Sequence, residues 1–324
     1  MVLGTGPRTR VRAWVFAFCG AAALSLIVLA IGWVGLLASI NRPMPPVTEQ
    51  EARESFQRSV RWLQANEATV LADGNAALWW MIRAAADNSR NAYLNELVDK
   101  HLLTYTGPHE QLAWKRLIVR DASFDPHQPV PPGLVPYQRG FFLAAMCQPG
   151  QAPDESTRRF LSQHACRPAL TRVWLSDRVC STHQLLVVML YRRQGCQAAA
   201  TLEPFKQELL DDIATQASQD IFMHDGQIQR VLSLVWAGAA DRVRPAWVHR
   251  IRAQQRADGG WTGDSLVPEL PEWAQVPAVK RAWRVMRGLP PSPSGASNFH
   301  ATAQGLLLMS LLAPAQQLLT ADGG

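Results

Sequence analysis

Residues 298–312 read NFHATAQGLLLMSLL, a short polar start followed by a run with no polar face. A helix that is apolar all round has to be buried. Comparable stretches run from Ala76 to Ala86, Leu185 to Tyr191 and Val231 to Ala239. Between them lie segments with one apolar stripe, such as Glu51 to Gln64 and Glu203 to Gln216, whose other face belongs in water. The helical period predicts helices near 48–65, 75–86, 90–104, 108–119, 137–147, 154–165, 179–195, 203–217, 225–239, 243–257, 275–287 and 299–313, and alternating strand patterns are scarce. Fully apolar helices inside and one-faced helices outside are what a closed double ring needs. The expected body is therefore all-α, an (α/α) toroid of about six helix pairs over residues 48–324, whose pairs act as loose repeats. Asp121 to Pro136 breaks the rhythm with five prolines. It reads as an extended crossing between two inner helices, with a domain boundary as the alternative.

Ahead of this body, Ala13 to Ile40 carries no charge. The run exceeds the roughly 20 residues that a helix needs to cross a bilayer. Arg8, Arg10 and Arg12 precede it, and no acid occurs before Glu49. The excess of positive charge ahead of the span puts the N-terminus in the cytoplasm. The expected layout is a cytoplasmic tail (1–12), a transmembrane anchor (13–40) in a bacterial inner membrane, a proline-rich stalk (41–47) and a periplasmic C-terminal domain (48–324). A cleaved signal peptide is the alternative, but the apolar run is long for one and Ala38-Ser39-Ile40 is a poor cleavage site. Cys19 reads as an inert residue within the span and not as a lipid attachment point.

Of 32 Lys and Arg, three precede the anchor, leaving 29 against 26 Asp and Glu, about +3 for the body. No basic tract interleaved with aromatics occurs, which argues against a nucleic-acid partner. Four cysteines follow the anchor, Cys147, Cys166, Cys180 and Cys196. In an oxidising compartment an even number reads as two disulfides. Cys180 and Cys196 bracket a helix some 24 Å long, well beyond the roughly 4.4–6.8 Å that a disulfide spans between Cα atoms. The helices ending at Cys147 and Cys166 should run antiparallel, which separates those two. The expected pairs are Cys166 with Cys180 and Cys147 with Cys196, the latter tying two neighbouring parallel inner helices.

Gln255-Arg256-Ala257-Asp258-Gly259-Gly260-Trp261 follows a predicted outer helix. This segment resembles the Gln-x3-Gly-x-Trp repeat of the squalene cyclase and protein prenyltransferase superfamily. The resemblance covers one copy of about seven residues and implies a toroid, with Gln255 capping and Trp261 packing over the turn into the next inner helix. The Asp-rich acid motif of the cyclases and the Asp, Cys and His zinc set of the prenyltransferases are both absent. Cyclisation and prenylation therefore find no support, and a fold is not a function.

Parallel inner helices gather their N-termini at one mouth of the ring. Four of the eight histidines stand at such starts: His109, His183, His224 and His300. The candidate catalytic residues are His183 and His300, each in the first turn of a strongly apolar helix, where an imidazole can serve as acid, base or donor near neutral pH. Candidate ligand-binding residues are Asn75, His109, Gln184, His224, Gln229, Asn298 and Gln304. Capping of free backbone N–H groups explains several of these equally well. Trp79 and Trp80 could stack on a ligand or fill the core. No metal-ligating spacing, nucleophile elbow or phosphate loop occurs, so no metal or cofactor is expected.

Two functional expectations follow. In the first, the body binds or processes an envelope ligand, an anionic glycan or lipid-linked sugar, by analogy with toroid polysaccharide lyases and glycoside hydrolases. In the second, it is a non-catalytic interaction module with a membrane-protein partner. No complete catalytic set can be named from the sequence, so whether it is an enzyme stays open.

Overall fold

The structure, a computed structural model, describes residues 7–104, 112–123, 125, 127–148, 150–162, 180–196, 199–220, 225–262 and 296–313. The chain divides into two compact units, residues 1–42 and 43–324. In the first, α1 (Pro7–Ile40) is one unbroken helix. Its segment Phe18–Ile40, 23 residues, is long and apolar enough to cross a membrane. Phe18, Leu24, Leu26, Ile27, Val28, Ile31 and Val34 are exposed along it. Such a surface suits lipid and not water.

The second unit is helical, with one isolated β-bridge, Trp261 to Asn298, among its described residues. Helix α2 (Glu49–Ala65) starts at a capping box: Thr48 accepts from the Glu51 N–H, and the Glu51 carboxylate accepts from the Thr48 N–H. It buries Ala52, Phe56, Val60 and Leu63, the i, i+4 stripe expected of an outer helix. There follow α3 (Glu67–Leu71), α4 (Ala76–Ser89), α5 (Ala92–Thr104), α6 (Leu112–Ile118), α7 (Pro136–Met146), α8 (Glu155–Leu161), α9 (Cys180–Arg193), α10 (Ala199–Gln219), α11 (Asp225–Trp236), α12 (Pro245–Ala253) and α13 (Phe299–Leu312). Helix α3 was not expected, because five residues carry no readable period. The expected helix at 275–287 lies outside the described residues, as does the end of the one at 154–165.

The apolar helices find one another in chain order. Helix α4 packs on α6, α6 on α7, α7 on α9, α9 on α11, α11 on α13, and α13 returns to α4. The one-faced helices flank them, α2 on α13, α5 on α4, α8 on α7, α10 on both α9 and α11, and α12 on α11. Direct packing of α6 on α7 fits the reading of Asp121 to Pro136 as a crossing between inner helices. In α13, Leu306, Leu307, Leu308 and Met309 are wholly buried, each such side chain contributing roughly 2 kcal/mol.

The inner helices run in the same direction. Cys147 follows α7, Cys196 follows α9, and the two stand at disulfide distance with Cα atoms 6.3 Å apart, the pairing expected. Cys166 lies outside the described residues, so the second expected pair does too. Asn88, at the end of α4, donates to the Ser310 carbonyl near the end of α13, while Trp79 and Phe299 meet at their beginnings, ring centroids 5.6 Å apart. Gln216 of α10 accepts from Arg230 in α11 and donates to Ser181 at the start of α9, which ties α9 and α11 through one outer side chain.

Gln255 and Trp261 join the outer layer to the inner one. The Gln255 amide donates to the Gly259 and Ser55 carbonyls, each at 2.8 Å, and accepts from the Ser55 hydroxyl. Trp261 is fully buried, donates from its indole to the Ile251 carbonyl and lies against Gly305, where an added Cβ would come within 2.6 Å of the ring. Gly259 takes φ +94°, and a Cβ there would collide with the Arg58 carbonyl. Both glycines are therefore required by contact.

Candidate functional site

Two groups of side chains meet at the N-terminal ends of the inner helices. Tyr137 in the first turn of α7 stacks on His183 in the first turn of α9, centroids 4.3 Å apart at 27°. Phe141, one turn further along α7, backs the stack at 6.3 Å from His183. Gly140 makes this approach possible, since a Cβ there would sit 2.9 Å from Val187 of α9. Tyr137 and His183 are half-buried, so the stack has an accessible side.

The second group lies on the next two helices. Asp225, the first residue of α11, places Oδ2 2.9 Å from His300 Nδ1 at the start of α13. Both side chains are about two-fifths exposed, 39% and 44%. A carboxylate at Nδ1 holds the N–H on that nitrogen and leaves Nε2 as an acceptor. One turn below, the Gln304 amide nitrogen sits 3.4 Å from Nε2 and 3.5 Å from Nδ1. Gln304 is completely buried and its Oε1 has no protein partner. Gln229 is one turn along from Asp225, on the same face of α11, and is buried.

The other candidates separate from this set. Gln184 turns away, its amide donating to the Phe160 and Leu161 carbonyls at the end of α8, so it closes that helix and does not line the mouth. Asn75 accepts from the Ala77 N–H and Asn298 from the Ala301 N–H, the capping role. Trp79 fills the core, stacked on His101 at 3.7 Å and donating to the Asp73 carbonyl. His109 and His224 lie outside the described residues. Among the described residues no cluster of His, Cys, Asp and Glu could hold a metal.

The opposite end of the same helices is closed by cross-ties. Arg116 donates to the Ala145 and Cys147 carbonyls, Arg193 to the Leu117 carbonyl and Gln194 to the Arg116 carbonyl. These are the orphan carbonyls of helix ends, and cations there also suit the helix dipole. Burial pushes the guanidinium pKa of both Arg116 and Arg193 down, and for Arg193 neighbouring Arg120 adds to it while Asp87 and Asp121 oppose it. Arg193 also reaches across to α4, 5.5 Å from the Trp80 ring centroid, and Trp80 meets Trp236 of α11 at 4.5 Å. Arg193, Trp80 and Trp236 thus join three inner helices, two pairs of which are not chain neighbours.

Asp225 and Tyr137 belong to the polar residues that open the predicted inner helices, though not to the narrower set of candidate site residues. Each stands in the first turn of an apolar helix, the same signal that singled out His183 and His300. Compared with protein families, characterised proteins and solved structures, the chain matches none.

Proposed function

We propose that the body is an (α/α) toroid held at the outer face of a bacterial inner membrane by α1, and that its N-terminal mouth binds a sugar-bearing ligand of the envelope, a glycan or lipid-linked sugar. The observation that carries this reading is the pair of groups on adjoining helix starts, an aromatic stack at Tyr137 and His183 and a polar set at Asp225, His300 and Gln304. Sugar rings need both kinds of surface, an aromatic face for their C–H groups and directed polar atoms for their hydroxyls. The cyclic packing order of the six apolar helices supports the ring. With Asp225 holding Nδ1, His300 can accept a proton at Nε2, so a reaction at this mouth would begin there.

A second reading, an interaction module without a ligand, draws on Arg193, Trp80 and Trp236 packing together across α9, α4 and α11. Retention of envelope oligosaccharides by the full-length protein in nanodiscs, detected by mass, separates the two. Wild type should retain them, and a His183→Ala, His300→Ala double variant should lose retention at least tenfold with an unchanged helical signal. A wild type that retains none leaves the module reading. Reporter fusions after Pro46 should be active only on the periplasmic side, and release of a soluble body starting near Asn41 would remove the anchor from the proposal.

A further inference from the structure

The sequence between α1 and α2 reads as a stalk, yet its residues are taken up on both sides. Asn41 donates from its side chain to the Leu37 carbonyl at 2.8 Å, and the Arg42 N–H reaches the Ser39 carbonyl, so both still belong to the end of α1. Pro43 is the first residue of the second unit. From there Pro43-Met44-Pro45-Pro46-Val47 leads to Thr48, the cap of α2. Each of the three prolines holds φ at about −65° and lacks an N–H. Such a stretch favours the extended polyproline backbone, with about three residues per turn. Met44 and Val47 then fall on one face, and these two are half-buried while Pro43, Pro45 and Pro46 are exposed.

Two contacts hold this segment on the body. Val47 packs against the hydrophobic core. His249 in α12 places Nε2 3.0 Å from the Pro45 carbonyl oxygen, and with a proton on that nitrogen the ring donates to it. A segment short of N–H groups cannot join a helix or a sheet, so a side-chain donor is what its carbonyl requires. Docking costs it little chain entropy, because the prolines restrict the undocked state as well. Directly beyond, Glu51 accepts from Arg252 and ties the start of α2 to the same helix α12. We infer that residues 43–48 are a docked strap, clasped by His249 and Val47, and that the joint between anchor and body narrows to the residues either side of the Arg42–Pro43 bond. A free tether would let the body turn and reach in every direction. The strap leaves it one pivot, whatever the mouth binds.

Methyl relaxation of the full-length protein in nanodiscs, carbon-13 labelled at its methionine methyls, tests this, with the Met44 signal assigned by its loss in Met44→Leu. In the wild type Met44 should relax as slowly moving as Met189, which is half-buried on α9. A His249→Ala, Val47→Ser variant should free the strap and lower the transverse rate of Met44 by about threefold, within the reach of one net hydrogen bond and a lost apolar contact. Its melting temperature should stay near that of the wild type, because the Thr48 capping box is untouched. His249→Ala alone removes no core side chain and should shift the rate in the same direction, so the test stands even if the double variant unfolds. His249→Gln, whose amide can donate to the same carbonyl, should keep the wild-type rate. Fast motion of Met44 in the wild type would overturn the strap. A rate unchanged in both alanine variants would overturn the clasp at His249 and Val47.

Discussion

The two ends of the inner helices are built differently. At the C-terminal end the ties are covalent or run from side chain to backbone: Cys147 to Cys196, Arg116 to two carbonyls after α7, Arg193 to α6, Asn88 to α13. At the N-terminal end the inner helices meet through half-exposed side chains, a ring stack and an exposed acid–imidazole pair. Backbone-directed ties fix helices in space but leave nothing for a ligand. Side-chain pairs at a surface stabilise little and stay exchangeable. The difference teaches that this fold concentrates its backbone-directed ties at one end, where substitutions should be felt as stability, and leaves exchangeable side chains at the other.

The largest effect should come from the disulfide. A Cys147→Ala, Cys196→Ala variant should lose about 4 kcal/mol, since the bridge closes a loop of sequence separation 49. Chemical denaturation of the two oxidised proteins measures it, and reductant should lower the wild-type midpoint by more than the variant's. An equal midpoint for the oxidised wild type and the variant would break the contrast between the ends.

Arg193→Met should come next, at about 1–2 kcal/mol, because methionine keeps the contact with Trp80 but leaves the Leu117 carbonyl without its donor. His300→Ala should cost less than about 1 kcal/mol, its partner being well exposed. If thermal unfolding showed the reverse order, the mouth would be the rigid end and the assignment of roles would fall.

The helices of this chain are legible because burial is written into their periodicity: α13 has no polar face and α2 has one apolar stripe. Cys147 with Cys196 was reachable from helix direction alone. The site was legible in part. His183 and His300 stand out as polar residues opening apolar helices, but Gln184 stands out in the same way and faces α8. Which side of a helix a first-turn residue takes depends on its neighbours, and the sequence does not number the neighbours of α9. Asp225 escaped selection because one acid at a helix start reads as a dipole effect until His300 is seen 2.9 Å away. The ties of Arg193 could not be read, since its partners Trp80 and Leu117 sit on other helices, far from it in sequence.

The smallest effect should appear in acid and should leave both ends alone. Glu51 joins α2 to α12, accepting from the Thr48 N–H at 2.8 Å and from Arg252 at 2.7 Å. Donation from the Thr48 backbone, then from its hydroxyl, and more weakly from Arg252, outweighs partial desolvation and lowers the Glu51 pKa from 4.5 to about 2. A depressed folded pKa means that the unfolded chain binds the proton first as pH falls. The stability Glu51 contributes is therefore complete above about pH 4.5 and is lost progressively as pH falls toward 2. Neither the disulfide nor the arginine-to-carbonyl ties titrate in that window, so the far end should hold. Denaturant midpoints for wild type and Glu51→Gln should differ at pH 6, converge as pH falls and coincide near pH 2, while reductant lowers both by the same amount at a given pH. A gap between the two proteins that persists at pH 2 would mean that Glu51 acts through packing and not through its charge.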